Sequence, residues 1–81
     1  MNKIILLNGK LLHEKKHAYI QDMFSFPSYY GNNSDALYDC LTDLDHVEVV
    51  IYNQQYLTTE DDPLIQVFHQ AEKDSSVILY I

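Results

Sequence analysis

The stretch FPSYYGNNSDALYDCLT, from Phe26 to Thr42, reads as a loop followed by an amphipathic helix. Pro27 ends any helix that arrives from the N-terminal side, because the residue before a proline disfavours helical backbone. In the loop, Gly31 can take a positive φ without strain. Asn33 is placed to cap the next helix, which we predict from about Ser34 to Leu44. The stretch therefore predicts a loop and a capped helix at the centre of the fold.

The predicted helix from Ser34 to Leu44 has two faces. At about 100° per residue its apolar side chains cluster on one side, which predicts a core face made of Leu37, Cys40, Leu41 and Leu44. A second stripe at i, i+3, i+4 and i+7 stands nearly opposite and is predicted to face outward: Asp35, Tyr38, Asp39 and Thr42.

The outward stripe has the composition of a binding surface. Like charges at i and i+4 repel by a few tenths of a kcal/mol, so Asp35 and Asp39 are not placed for helix stability. Between them stands an aromatic side chain, and Tyr29-Tyr30 lies in the adjoining loop. Aromatic residues at the centre of a patch are typical of binding hot spots. The simpler alternative is a solvated acidic face.

Three apolar stretches predict β-strands on either side of this central segment. They are Ile4–Leu7, Val47–Tyr52 and Val77–Ile81. The first shows no alternation of apolar and polar residues, which predicts that both faces of that strand are covered. Asn8-Gly9 follows it with turn chemistry.

Two further helices are predicted. One spans about Glu14 to Phe24 and ends before Pro27. The other spans about Pro63 to Lys73, because Asp62 is a cap residue and a proline favours the first helical position. A short helical turn is expected within Asn53–Thr58.

The order of these elements predicts the topology. Strands separated by helices pair in parallel through right-handed crossovers, since parallel neighbours need a connection long enough to hold a helix. The predicted fold class is α/β, with a small three-stranded parallel sheet packed with three to four helices. The 81 residues are expected to form a single domain over residues 1–81.

Composition narrows the class of partner. Five basic residues against twelve acidic ones give a net charge of −7, which opposes binding to nucleic acid or to an anionic membrane surface and favours a basic protein partner. The single cysteine, Cys40, cannot form an internal disulfide, which indicates a cytoplasmic protein. No run approaches the roughly 20 apolar residues that span a bilayer. We expect a soluble protein that is monomeric when free.

One short motif resembles a zinc-binding sequence. His13-Glu14-Lys15-Lys16-His17 matches the HExxH pattern of zinc hydrolases. Such a site needs a third protein ligand and a substrate cleft, and the Lys-Lys pair occupies positions that are generally apolar in those helices. We therefore predict a chance match, with a histidine at the helix start and a partly packed His17, and we predict neither a metal nor a cofactor. Cys40 lies among leucines and is interpreted as a packed, inert thiol.

The central stretch resembles the barstar family, whose members are bacterial intracellular inhibitors of small secreted guanyl-preferring ribonucleases. The matching residues are Pro27, Tyr29, Tyr30, Gly31, Asn33, Asp35, Ala36, Leu37, Asp39, Cys40, Leu41 and Thr42. The last helix adds Gln66, Val67, Phe68 and Ala71. The resemblance covers nearly the whole chain, although it is weak outside these two segments.

The resemblance implies that this chain is not an enzyme and that it binds a basic ribonuclease. The residue that matches Asp39 would enter the phosphate site of the nuclease, where it faces arginines and a histidine, with Tyr29, Asp35 and Thr42 beside it. The full candidate surface is Tyr29, Gly31, Asn33, Ser34, Asp35, Tyr38, Asp39, Thr42, Asp43 and Gln70.

Three positions depart from the family pattern. Ser34 stands where better-known members have an apolar residue, Tyr38 replaces a tryptophan, and Gln70 replaces an acidic residue. The target could therefore be a secreted ribonuclease or a toxin used against competing cells, for which this chain would be an immunity protein. The alternative from another class is an acidic interaction module whose partner is not a ribonuclease.

Overall fold

The computed structural model describes residues 3–81, so Met1 and Asn2 of the predicted domain lie outside the described residues. The strands are β1 (Lys3–Asn8), β2 (Val47–Tyr52) and β3 (Ile78–Tyr80). The α-helices are α1 (Gly9–Lys15), α2 (His17–Phe24), α3 (Ser34–Thr42) and α4 (Asp62–Asp74). Two single 3-10 turns, Gln54–Tyr56 and Thr59–Asp61, connect β2 to α4. This architecture confirms the predicted α/β fold with three strands and four helices.

The sheet has the order β1-β2-β3 and is parallel throughout. In its central row, Ile5 pairs with Val49 and Val49 pairs with Leu79. These side chains are buried and face the helices, where they meet apolar residues such as Leu37 and Phe68. Burial of such side chains contributes about 1.5–3 kcal/mol each and supplies most of the driving force for folding.

The opposite face of the sheet is exposed, which corrects the prediction that both faces of the first strand are covered. Ile4 and Leu6 on β1 are 59% and 54% exposed, and Ile78 and Tyr80 on β3 are exposed as well. In the described part of the chain, the helices that pack on β1 cover one face of the strand. Ile5 and Leu7 are buried on that face, and Ile4 and Leu6 between them are exposed. Parallel strands usually have both faces covered, but here the apolar run of β1 is buried on one face only.

The first predicted helix is in fact two helices. Asn8 does not begin a turn but caps α1, and its side-chain oxygen accepts a hydrogen bond from the Lys10 backbone N–H at 3.0 Å. At Gly9 a side chain would collide with the carbonyl oxygen of Asn53, so α1 can start beside the end of β2. Lys16 then takes φ 50° and ψ −123°, which separates α1 from α2. The predicted start near Glu14 is therefore wrong.

The other helices follow the prediction more closely. α3 starts at Ser34 as expected and ends at Thr42, two residues before the predicted end. α4 begins at Asp62 with Pro63 in its first turn, and it runs one residue beyond Lys73. The expected short helical turn is the first 3-10 turn. Within residues 3–81, no helix combines the length and apolar character needed to cross a membrane.

One carboxylate lies inside the fold. The Asp61 side chain is fully buried, and it accepts hydrogen bonds from Lys16 Nζ at 2.8 Å, from His13 Nδ1 at 2.7 Å and from the Thr58 backbone N–H at 2.9 Å. Burial alone would raise the pKa of Asp61, but these donors outweigh it and hold the pKa at about 2. Asp61 thereby ties the junction of α1 and α2 to the turn that precedes α4.

Candidate functional site

The loop between α2 and α3 turns one tyrosine inward and the next one outward. Tyr30 is only 6% exposed, whereas Tyr29 is 85% exposed. The Tyr30 backbone N–H donates to the Pro27 carbonyl at 2.9 Å, and its ring lies 5.3 Å from that of Phe26. The buried Tyr30 therefore anchors the loop that exposes Tyr29 to solvent. An exposed tyrosine held in this way provides a large contact area at low entropic cost.

Gly31 and Asn33 form the cap of α3. Asn33 Oδ1 accepts a hydrogen bond from the Ala36 backbone N–H at 2.8 Å, and Asn33 Nδ2 donates to the Gly31 carbonyl at 3.2 Å. A Cβ at Gly31 would lie 2.9 Å from Asn33 Nδ2, so a side chain there would push the capping amide away. The positive φ expected at Gly31 occurs instead at Asn32. Glycine at position 31 is thus favoured by the space that the cap needs and not by its backbone angle.

The outward face of α3 carries two free carboxylates. Asp35 and Asp39 are exposed, while Leu37 and Leu41 on the opposite face are buried. Within residues 3–81, neither carboxylate forms a salt bridge or accepts a side-chain hydrogen bond. Thr42, by contrast, directs its hydroxyl to the carbonyls of its own helix at 2.9 and 3.2 Å. The two aspartates are therefore the groups on this face that are available to a cationic partner.

A groove of about 320 Å³ lies on the surface between α3 and α4, which pack against each other. It is lined by Ser34, Asp35, Tyr38, Gln66, Val67 and Gln70. Four residues of the candidate surface are thus brought together here although they lie on two helices. Gln66 and Val67 were not among the candidate residues, and their place beside Gln70 on α4 follows from its helical spacing.

Asp74, which follows Gln70 by one turn of α4, closes one end of this arrangement. Its Oδ2 accepts a hydrogen bond from the Tyr38 hydroxyl at 2.5 Å and another from Gln70 Nε2 at 3.0 Å. The bond to Gln70 and the bond to Tyr38 lower the pKa of Asp74, and the same contact with Asp74 raises the pKa of Tyr38. The carboxylate therefore stays ionised at the edge of the groove, where Gln70 itself has no charge.

A second groove, of about 270 Å³, lies on the other side of α3. Tyr29 and Asp43 line it together with the apolar side chains of Phe24, Phe26, Pro27, Cys40 and Leu44. At about 100° per residue, Asp39 falls between the α3 residues that line the two grooves. Asp39 therefore lies between two grooves that together contain six of the candidate residues: Tyr29, Ser34, Asp35, Tyr38, Asp43 and Gln70.

The HExxH residues are separated by the break at Lys16. His13 belongs to the last turn of α1, so the prediction of a helix-start histidine is wrong, and its ring contacts Asp61. His17 is half-buried as predicted, and its Nδ1 lies 2.6 Å from the Tyr30 hydroxyl oxygen. Among residues 3–81, no three His, Cys, Asp or Glu side chains converge on a position that could hold a metal ion.

Comparisons with known proteins agree with this architecture. The family model described as Barstar (barnase inhibitor) matches residues 2–76. A protein of Bacillus subtilis (strain 168), named "Putative ribonuclease inhibitor YrdF", is 30% identical over 82 aligned residues, which cover 91% of this chain and 89% of that protein. The match extends over both helices of the candidate surface and over β1 and β2. The chain therefore belongs to the barstar family.

Proposed function

We propose that this protein inhibits a basic ribonuclease by covering its active site in a 1:1 complex. The observation that carries the proposal is the pair of exposed carboxylates of Asp35 and Asp39. They lie on a capped helix, next to the loop that exposes Tyr29 and buries Tyr30. The protein acts as an inhibitor in this proposal and catalyses no reaction. The name of the relative and the description of the family support the same class of activity.

Asp39 acts as the substitute for a substrate phosphate. A carboxylate accepts two parallel hydrogen bonds from a guanidinium group, as a phosphate does, and such charge-assisted bonds are about twice as strong as neutral ones. The helix holds this carboxylate in place before binding, so little conformational entropy is lost when the complex forms. Asp35 provides a second negative charge on the same stripe, and Tyr29 provides an aromatic contact at the edge.

Charge and composition support the rest of the proposal. A net charge of −7 suits a basic partner and opposes binding to nucleic acid or anionic membrane. The lone Cys40 is half-buried beside Leu44, which suits a reducing cytoplasm. We expect the free protein to be a monomer.

The direct test is a titration of barnase, the enzyme named in the description of the family, with the purified protein. We expect ribonuclease activity to fall linearly to zero at one equivalent of inhibitor, because the complex is tight and covers the active site. Unchanged activity at a large molar excess would show that barnase is not the target, and capture of the partner by the immobilised protein would then decide the proposal.

An acidic interaction or immunity module is the competing function. A partner captured by the immobilised protein distinguishes the two, because the proposal requires that the partner degrade RNA when free and fail to do so when bound. A captured partner without ribonuclease activity would favour the competing function.

The rate of association should depend strongly on salt. An acidic inhibitor and a basic nuclease attract each other over a Debye length, which shrinks from about 30 Å at 0.01 M to about 8 Å at 0.15 M ionic strength. We therefore expect the association rate with barnase to fall steeply over this range, while the dissociation rate changes much less. Stopped-flow mixing measures both. An association rate that is independent of salt would remove electrostatic steering from the mechanism.

A further inference from the structure

The face of the sheet that points away from the helices is apolar and exposed. Its strand side chains form what we term the open sheet face: Ile4, Leu6, Val50, Tyr52, Ile78 and Tyr80. Those on the two outer strands are between 44% and 59% exposed. Soluble monomers rarely leave a contiguous apolar patch uncovered, and parallel sheets usually have helices on both faces. The open sheet face therefore has the character of a surface that another element covers.

One carboxylate lies within the open sheet face. Glu48 is on the central strand, and its neighbours across the sheet are Ile4 on β1 and Ile78 on β3. Glu48 is half-buried and accepts a hydrogen bond from the Tyr80 hydroxyl at 2.9 Å. Within residues 3–81 it forms no salt bridge. A carboxylate that is covered by an apolar surface loses its hydration, so an occupant of this face has to provide a cation opposite Glu48.

The dimensions of the open sheet face suit a single helix. Neighbouring strands are about 4.8 Å apart, so β1 and β3 are separated by about 10 Å, which is close to the diameter of an α-helix. β1 and β2 have six residues each, and six residues of a strand span about 20 Å. Roughly 13 helical residues have the same length. One amphipathic helix of this length would therefore cover the face.

The charge of the face distinguishes such a helix from a second copy of the chain. In the described part of the sequence, none of the strand side chains on the open sheet face is basic. A second copy packed face to face would cover both Glu48 carboxylates without a cation, which costs free energy. An anionic lipid surface is disfavoured by the same carboxylate and by the net charge of −7.

We propose that the open sheet face docks an amphipathic helix of another protein, and that this helix carries a lysine or arginine within its apolar stripe, opposite Glu48. The apolar side chains of the helix pack on residues such as Leu6 and Tyr80, while the long stem of the basic residue crosses the apolar surface to the carboxylate. α3 lies on the other side of the sheet, because its Leu37 is buried in the same core as Val49. The docked helix and a nuclease therefore bind on opposite sides, and the inference goes beyond the proposed function.

The first experiment compares two helical peptides of identical composition. Each has about 18 residues with leucines along one stripe, so that it forms an amphipathic helix. The first peptide has a lysine in the middle of the stripe and a glutamate on the polar face, and the second has these two residues exchanged. We expect the first to bind with a Kd of roughly 1–100 µM, as suits a small interface, and the second at least about 10-fold more weakly. Equal affinities, or binding of neither peptide, in titration calorimetry would overturn the proposal.

Substitution of Glu48 tests which group selects the peptide. Glu48→Lys should reverse the preference, because the new lysine pairs with the glutamate in the stripe of the second peptide. Glu14→Lys changes the net charge equally on the exposed side of α1 and is the matched control, which should keep the wild-type preference. If Glu48→Lys does not fold, Glu48→Gln takes its place and should abolish the preference. A preference that survives unchanged in the Glu48 variant would overturn the role of this carboxylate.

The binding site itself is located by NMR. Addition of the first peptide should shift the backbone amide signals of β1, β2 and β3 and leave those of Asp35 and Asp39 on α3 unchanged. Shifts centred on α3 would overturn the proposal, as would sedimentation of the free protein as a dimer that Leu6→Lys dissociates, because a second copy would then occupy the face. These measurements use no ribonuclease, so their outcome is independent of whether the protein inhibits one.

Discussion

Asp39→Asn should weaken the inhibition of barnase by roughly 30-fold to several thousand-fold. The substitution keeps the volume of the side chain and removes its charge, so the arginines of the nuclease would be desolvated against a neutral amide. Truncation of one partner in such a pair costs about 2 to 5 kcal/mol or more, a range for which the barnase complex with barstar is itself a reference system. The measurement is the inhibition constant for barnase at fixed ionic strength.

The same variant should fold normally. Asp39 is exposed and forms no salt bridge in the described part of the chain, and removal of its charge relieves the i,i+4 repulsion with Asp35. We expect thermal unfolding that is unchanged or slightly improved. Unaltered inhibition would refute the phosphate-mimic role of Asp39. A large loss of stability would show that Asp39 stabilises the folded protein instead.

A matched control separates local charge from total charge. Glu14→Gln removes one negative charge from the exposed side of α1, which packs against β1, α2 and the first 3-10 turn. We expect it to slow association only slightly, because long-range steering depends on the net charge of the protein. A loss equal to that of Asp39→Asn would mean that the inhibition depends on total charge and not on the position of Asp39.

The elements with strong local signals were predicted from the sequence. β2 is bounded as predicted because VEVVIY combines β-branched residues with turn residues on either side. α3 starts where predicted because the Asn33 side chain caps it. α4 starts at Asp62, one residue before the predicted start, so Asp62 is the first residue of the helix and not its cap, and Pro63 lies in the first turn as predicted. The composition of the outward face of α3 likewise identified Asp35 and Asp39 as exposed carboxylates.

Features that depend on tertiary packing were missed. Asn8-Gly9 suits a turn as well as a helix start, and only the approach of Gly9 to the end of β2 distinguishes the two. The break at Lys16 involves no glycine or proline, and a partner 45 residues away, Asp61, accompanies it. Local patterns do not contain such contacts. For the same reason Tyr38 could be placed on the surface, but its bond to Asp74 on another helix could not be predicted.

Asp61→Asn should destabilise the protein by about 1 to 2.5 kcal/mol. The shift of the Asp61 pKa from 3.8 to about 2 corresponds to roughly 2.5 kcal/mol, and this is an upper value because solvent screens the charges of Lys16 and His13, which are partly exposed although the Asp61 side chain is buried. His13 and Lys16 are partly exposed and can turn to water, which keeps the loss below the 3–5 kcal/mol expected for a fully buried pair. For a domain of this size the melting temperature should fall by about 5–20 °C. Asp62→Asn, the exposed neighbour, is the control and should change it by a few degrees at most.

The dependence of this loss on pH tests its electrostatic origin. Because folding lowers the pKa of Asp61, its stabilisation is fully present above the unfolded-state pKa near 3.8 and disappears as the pH falls through about 2. The difference in unfolding free energy between the wild type and Asp61→Asn should therefore close between about pH 4 and pH 2. Urea unfolding of both proteins at each pH provides the comparison. A difference that persists at pH 2 would show that the amide disrupts packing, and that the charge of Asp61 does not hold α1, α2 and the turn before α4 together.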